Sequence, residues 1–189
     1  MNYKYHIIRN FPKGYPLWKK AIANIIFLVG KTIIYRRKNK LTEEDMKKAL
    51  KVVKKGDIVL VGGLRRFSHF FIGNQFTHSL IYAGNQHLIH SVADGVEKVN
   101  FKEIFSEYDT MIILRSRLDK RGIGSAIKYA NSQIGKPYDF EFSRGTDKFY
   151  CAELIKASFE KAGLKIKNPK KIVYPIDFIA NDFKMVLSL

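Results

Sequence analysis

Cys151 is the only cysteine in the 189 residues. It stands in Phe149-Tyr150-Cys151-Ala152-Glu153-Leu154-Ile155, a segment with the pattern of an opening amphipathic helix. A thiol at a helix N-terminus lies beside unpaired N–H groups and the positive end of the dipole, which favour the nucleophilic thiolate. Such a nucleophile needs a base to take its proton, and the base needs a partner that fixes its tautomer. His78 and His90 are the candidates. His78 alternates with Phe76, Leu80 and Tyr82 on one strand, and His90 with Leu88 and Val92 on the next. A hairpin turn centred on Gly84 would set the two histidines opposite each other on one face. The bland reading of each residue is a buried small hydrophobe for Cys151 and a satisfied core histidine for His78. Zinc asks for three or four ligands. His87 falls on the face opposite His90, and no acidic residue has a ligand-like spacing, so neither a metal nor another cofactor is expected. His6 and His69 belong to no constellation and read as surface residues.

The elements that must position these groups follow from periodicity. Residues 17–35 read as a helix, with Trp18, Ile22, Ile25, Val29 and Ile33 at helical spacing. A second helix spans residues 43–54, with Thr42 as cap, Asp45 completing a capping box, Leu41 and Met46 as a hydrophobic staple, and Gly56 as its stop. Strands are predicted over 57–61, 77–83, 88–92 and 111–115, with a hairpin connection at Gly84-Asn85-Gln86-His87. Helices are predicted over 123–134 and 151–162, the latter closed by Gly163. Helices, then strands, then helices imply an α+β fold.

Charge is unevenly placed along the chain. Of the net +17, residues 1–55 carry 15 Lys+Arg against 3 Asp+Glu, whereas residues 56–155 carry 12 against 11. The expected organisation is a basic helical extension, 1–55, before a near-neutral domain, 56–189. The extension suits an anionic surface, either a membrane or a cell-wall polyanion, or is simply a solvated lysine-rich face. Nucleic acid is not expected, because aromatics do not interleave with the basic residues in any known binding signature. No secretory signal is recognised. The apolar run Ala21–Ile34 is broken by Asn24 and Lys31 and falls short of the roughly 20 residues a span requires. The expectation is a cytoplasmic protein, with a place at the membrane periphery left open.

Five short segments in order resemble the papain-fold cysteine hydrolases of the NlpC-like superfamily, in their circularly permuted, YiiX-like branch. Lecithin:retinol acyltransferase is a more distant member. The segments are Gly56-Asp57-Ile58-Val59, Thr77-His78-Ser79-Leu80-Ile81-Tyr82, Leu88-Ile89-His90-Ser91, Ile134-Gly135-Lys136-Pro137-Tyr138-Asp139-Phe140 and Tyr150-Cys151-Ala152-Glu153-Leu154-Ile155. His before Cys marks the permutation. The resemblance extends from about Gly56 to Phe178 and takes in Tyr174-Pro175. It implies a small antiparallel sheet packed on helices. It also implies Cys151 as nucleophile, His78 as general base and His90 as the residue orienting that base. Tyr138 would lie beside the nucleophile and serve substrate or oxyanion. Glu153 matches a frequent family residue and would make either a substrate contact or a structural hydrogen bond, and Asp57 would close a turn before the first strand. The function implied is an amidase or peptidase working through an acyl-enzyme on cell-wall peptide or acyl amide. Two alternatives stay open: a lipid-directed acyltransferase or lipase at a membrane surface, and a non-catalytic polyanion-binding module. The substrate is accordingly a small molecule, a peptide or a lipid.

Overall fold

Ile58–Gly62 is a run of small apolar residues buried on both faces, as suits the interior strand of a sheet. It forms β1, and around it the chain builds one antiparallel sheet. The computed structural model describes residues 7–31, 41–63, 76–143, 145–167, 172–181 and 183–189. His6, His69 and residues 32–35 of the expected first helix lie outside them. The other strands are β2 (His78–Gly84), β3 (His87–Val92), β4 (Gly95–Asn100), β5 (Thr110–Ser116) and β6 (Phe183–Ser188). Their order is β4-β3-β2-β1-β5-β6. The helices are α1 (Leu17–Lys31), α2 (Glu43–Val52), α3 (Phe101–Glu107), α4 (Lys120–Ser132) and α5 (Cys151–Lys161), followed by a 3-10 turn at Pro175–Ala180.

Alternation along the strands divides the interior in two. Ile58, Leu60, Ile81 and Ile89 pack with Leu154, Ile155 and Phe159 of α5 and with Ala126 and Ala130 of α4. Val59, Val61, Leu80, Tyr82 and Leu88 pack on the other face with Ala49 of α2 and with Phe101, Ile104 and Phe105 of α3. The fold is therefore α+β, with helices on both faces of a six-stranded antiparallel sheet. β4, β6 and α3 are additions to the expected elements.

The capping box of α2 is complete. Thr42 Oγ1 accepts from the Asp45 N–H at 3.2 Å, and the Thr42 N–H donates to Asp45 Oδ2 at 3.0 Å. Leu41 and Met46 both pack on the second core, as a staple requires. The stop differs from expectation. α2 ends in an extended cap at Val53, and Gly56, with φ +84°, instead turns the chain into β1. Asp57 holds that turn, since its Oδ2 accepts from the Lys54 N–H at 2.7 Å. The same carboxylate, buried to 1 % exposure, is gripped by Arg115 at 2.9 and 2.7 Å. α5 ends at Gly163 as predicted, in a Schellman motif: Gly163 N–H to Glu160 O at 3.0 Å and Leu164 N–H to Phe159 O at 3.0 Å.

The Gly135–Phe140 segment is laid against two elements. Val96 of β4 exchanges backbone hydrogen bonds with Gly135 and Lys136, each 2.8 Å. Farther on, Tyr138 bridges to Phe149, which places the segment beside the start of α5. Gly95 (φ +108°) sits at this junction, where a Cβ would collide with the Lys136 carbonyl oxygen and with Asn10 Nδ2. Asn10 also donates to the carbonyls of Asp94 and Gly135 at 2.8 and 3.2 Å, which fixes the N-terminal segment to the same corner.

Candidate active site

Cys151 opens α5, with Tyr150 as N-cap. Ser91 Oγ donates to the Phe149 carbonyl at 2.5 Å, and the Tyr150 hydroxyl accepts from the Val173 N–H at 3.1 Å, so the approach to the helix is pinned from two sides. The thiol is 8 % exposed. Burial pushes its pKa up, against the backbone N–H and hydroxyl of Ser79 and the helix-terminal N–H groups of Ala152 and Cys151, which pull it down. The N–H groups act as foreseen, but desolvation outweighs them, and the resting group is the neutral thiol.

Ser79 was not expected at the sulphur. The signal lies in the strand pattern: His78, Leu80 and Tyr82 share one side of β2, so Ser79 and Ile81 face α5. The Ser79 hydroxyl is buried and makes no well-formed hydrogen bond within the described residues.

His78 and His90 meet at the start of β2, where both line the cleft that Cys151 also lines. His78 Nε2 lies 2.8 Å from His90 Nδ1, with ring centroids 5.1 Å apart. The symmetry expected about Gly84 is shifted. Ile81 pairs with Ile89 and Tyr82 with Leu88, so the hairpin is centred one residue later and the two histidines are diagonal neighbours. Asn85 and Gln86 both adopt positive φ (51° and 57°) in a two-residue turn, and a bulge between Tyr82 and Gly84 absorbs the slip. His78 also stacks on Tyr108, centroids 6.2 Å apart. The chain of contacts continues from His90 Nε2 to Glu97 Oε1 on β4 at 3.2 Å. Glu97 went unnoticed because β4 lacks the apolar alternation that marks a strand. His87 turns away, and its Nδ1 lies 2.6 Å from the Asn85 carbonyl oxygen.

Tyr138 lines the same cleft as Cys151, His78 and His90. Burial raises its pKa well above the ordinary phenol value, and the neighbouring Cys151, Asp139, Tyr150 and Glu153 add to this, so the hydroxyl stays a donor. Asp139 organises the loop. Fully buried, it accepts from the N–H groups of Glu141 and Ser143 at 3.0 and 2.6 Å and pairs with Lys148 at 3.2 Å. Glu153 sits in the first turn of α5 with one carboxylate oxygen buried and without a hydrogen-bond partner among the described residues. Its pKa is raised to about 7, chiefly by burial and then by Asp139, against the Tyr150 N–H and the charges of Lys148 and Lys156.

The cleft measures about 830 Å³. One wall is α3 with Ile104 and Tyr108. The other is α1, contributing Trp18, Ile22, Ile26 and Phe27. Aromatic contacts among Phe11, Tyr15 and Phe140 and the Lys19–Glu141 ion pair at 2.5 Å tie α1 to the Tyr138 loop. No group of three or more His, Cys, Asp or Glu side chains that could hold a metal occurs among the described residues.

A neutral thiol at a helix N-terminus, a linked histidine pair and a protonated tyrosine around one apolar cleft suit acyl transfer. The fold resembles a solved structure described as the metalloprotein YiiX from Escherichia coli O157:H7. The TM-score is 0.62 at 18 % identity, covering 72 % of this chain and 97 % of that one. At that identity the likeness establishes the fold. A search of curated proteins gives no match. A family model for permuted papain-like amidase enzymes, YaeF/YiiX, matches residues 52–187. The chain therefore belongs to the YaeF/YiiX family of permuted papain-like amidases.

Proposed function

We propose that the protein is a cysteine amidase in which Cys151, His78 and His90 carry an acyl-enzyme mechanism. The observation that supports this most is the 2.8 Å contact between His78 Nε2 and His90 Nδ1 beside a cleft that Cys151 also lines. With Glu97 accepting the proton on His90 Nε2, His90 Nδ1 is an acceptor, and His78 Nε2–H donates to it. The remaining nitrogen of His78, Nδ1, is then unprotonated and is the basic site.

In the first step Cys151 Sγ attacks the substrate carbonyl carbon as its proton passes to His78 Nδ1. The carbonyl π pair moves onto oxygen. The Cys151 N–H at the helix terminus and the Tyr138 hydroxyl are the donors proposed for that oxyanion. Collapse breaks the C–N bond, the amine leaves with the proton from His78, and a thioester remains. Water then attacks the thioester while His78 takes its proton. Cys151 leaves as thiol, and the acid is released. Because burial holds the resting thiol neutral, deprotonation accompanies attack.

The YiiX relative is described as a metalloprotein. Zinc bonds of about 2.0–2.1 Å in tetrahedral geometry would hold a pair of ligand nitrogens about 3.3 Å apart. The 2.8 Å contact fits a shared proton better than a shared metal.

The test is a panel of soluble N-acyl amides and esters, with intact-mass detection of the acyl-enzyme. A thioester adduct on wild type, absent from Cys151→Ala, supports the reading. Turnover unaffected by Cys151→Ala would sink it. A second reading, an esterase or acyltransferase on lipid, is favoured by the apolar walls of the cleft and is decided by which members of the panel acylate Cys151.

A further inference from the structure

Among the described residues, α1 meets the domain along one side. Ala23 is buried, Asn24 Oδ1 accepts from the Ile8 N–H at 2.7 Å, and Phe27 faces the cleft. The rest of its apolar surface points outward: Leu17, Trp18, Ile25 and Ile26 are 81, 63, 61 and 65 % exposed, with Val29 continuing the stripe. An exposed face of this kind on a protein with two well-filled cores marks an interaction site. Its surroundings select the partner. Residues 1–42 contain ten Lys+Arg and no Asp or Glu. Arg9 and Lys13 are exposed, and Lys20 lies over the Phe11 ring at 5.8 Å. Lys19 is paired with Glu141, but the segment as a whole carries an excess of cations, and an apolar face in such a segment fits the interface of an anionic bilayer, where the stripe enters the acyl region and the cations meet head groups. α1 lies outside the residues matched by the family model, 52–187.

The same helix walls the cleft. Trp18, Ile22 and Ile26 are both exposed and cleft-lining, so the apolar outer face runs without a break into the cavity that holds Cys151. We propose that α1 docks the protein on an anionic lipid membrane and that the cleft it walls accepts an acyl chain from that membrane. Acceptance of the acyl chain rests on Cys151 being the reactive group.

The full chain is floated with phosphatidylcholine vesicles, with and without phosphatidylglycerol, while the emission of Trp18, the only tryptophan, is recorded. The expected result is flotation and a blue shift with anionic vesicles only, reduced by salt and by an Ile25→Asp/Val29→Asp variant that keeps its melting transition. If that variant does not fold, the wild-type blue shift and its salt dependence decide alone. No binding to anionic vesicles overturns the proposal. So does a dimer in solution that the variant dissolves without any vesicle binding, which would assign the face to a second copy. Acyl-chain entry is read by comparing Cys151 modification by iodoacetamide and by its N-hexadecyl derivative on vesicle-bound protein. In both cases sulphur displaces iodide. A long-chain preference of about tenfold or more is expected. Equal rates overturn acyl-chain entry. Neither readout requires turnover, so a failed amidase assay leaves both standing.

Discussion

His78 Nε2 stands 2.8 Å from His90 Nδ1, and His90 Nε2 stands 3.2 Å from Glu97 Oε1. Three strands thus deliver one line of proton donors and acceptors, and the proposed mechanism takes its direction from the Glu97 end. If His78 is the base for Cys151, alkylation of the thiol at neutral pH depends on it. His78→Ala should slow modification at pH 7 by at least about tenfold and amide turnover by about 10²–10⁴-fold. At a pH alkaline enough to ionise the buried thiol without a base, the two proteins should converge in alkylation rate. A pH profile that His78→Ala leaves untouched would return Cys151 to the status of a buried structural thiol.

Glu97 acts through its contact with His90 Nε2 and is therefore proposed as a positioning residue. Its carboxylate is 52 % exposed, so the effect of removing it is smaller than that of losing His78. Glu97→Gln offers His90 either an oxygen or an N–H and no longer enforces one tautomer. The expected outcome is a few-fold fall in kcat with KM unchanged, and a ¹⁵N spectrum in which the His90 and His78 tautomers become mixed. A spectrum identical to wild type would show that the pair sets its own direction.

The sequence made the helix ends and interior strands legible because those signals are local. Thr42 with Asp45, Gly163 after α5, and the apolar runs of β1 and β5 each declare themselves within a few residues. β4 and β6 are edge strands with polar and exposed positions, Glu97 and Lys98 in one and Lys184 in the other. They carry no alternation to read, so Glu97 was invisible. Cys151, His78 and His90 stood out as candidates from type and spacing, and the fold brings them to one cleft. The state of the thiol was not legible, because burial is a property of the whole packed fold. The role of Trp18, Ile22 and Ile26 as a cleft wall was hidden for the same reason.

Asp57 and Arg115 lock the turn that launches β1. Arg115 Nη2 also donates to the Val52 carbonyl at 2.7 Å, so the guanidinium ties α2, the turn and β5 together. Asp57→Ala leaves a partly buried cation and a turn N–H without their acceptor. The expected loss is about 3–5 kcal/mol in urea unfolding, with Asp57→Asn intermediate. A loss below about 1 kcal/mol would place the pair among surface ion pairs.

Glu153 gives the fold a pH dependence of definite sign. Its folded pKa is about 7, above the ordinary carboxyl value, because burial and Asp139 disfavour the anion. Between about pH 4.5 and 7 the folded state therefore holds a proton that the unfolded state has lost. Stability from this group is complete below the unfolded pKa and declines as pH rises through about 7. Glu153→Gln is neutral throughout and lacks that decline. The melting temperature of the variant relative to wild type should thus rise between pH 5 and pH 8.5. The thiol of Cys151 and the phenol of Tyr138 have the same sign, but both titrate at higher pH and do not mask the window. A difference in melting temperature that stays flat across this range would mean that Glu153 is ionised in the folded protein and that its carboxylate is solvated from the cleft.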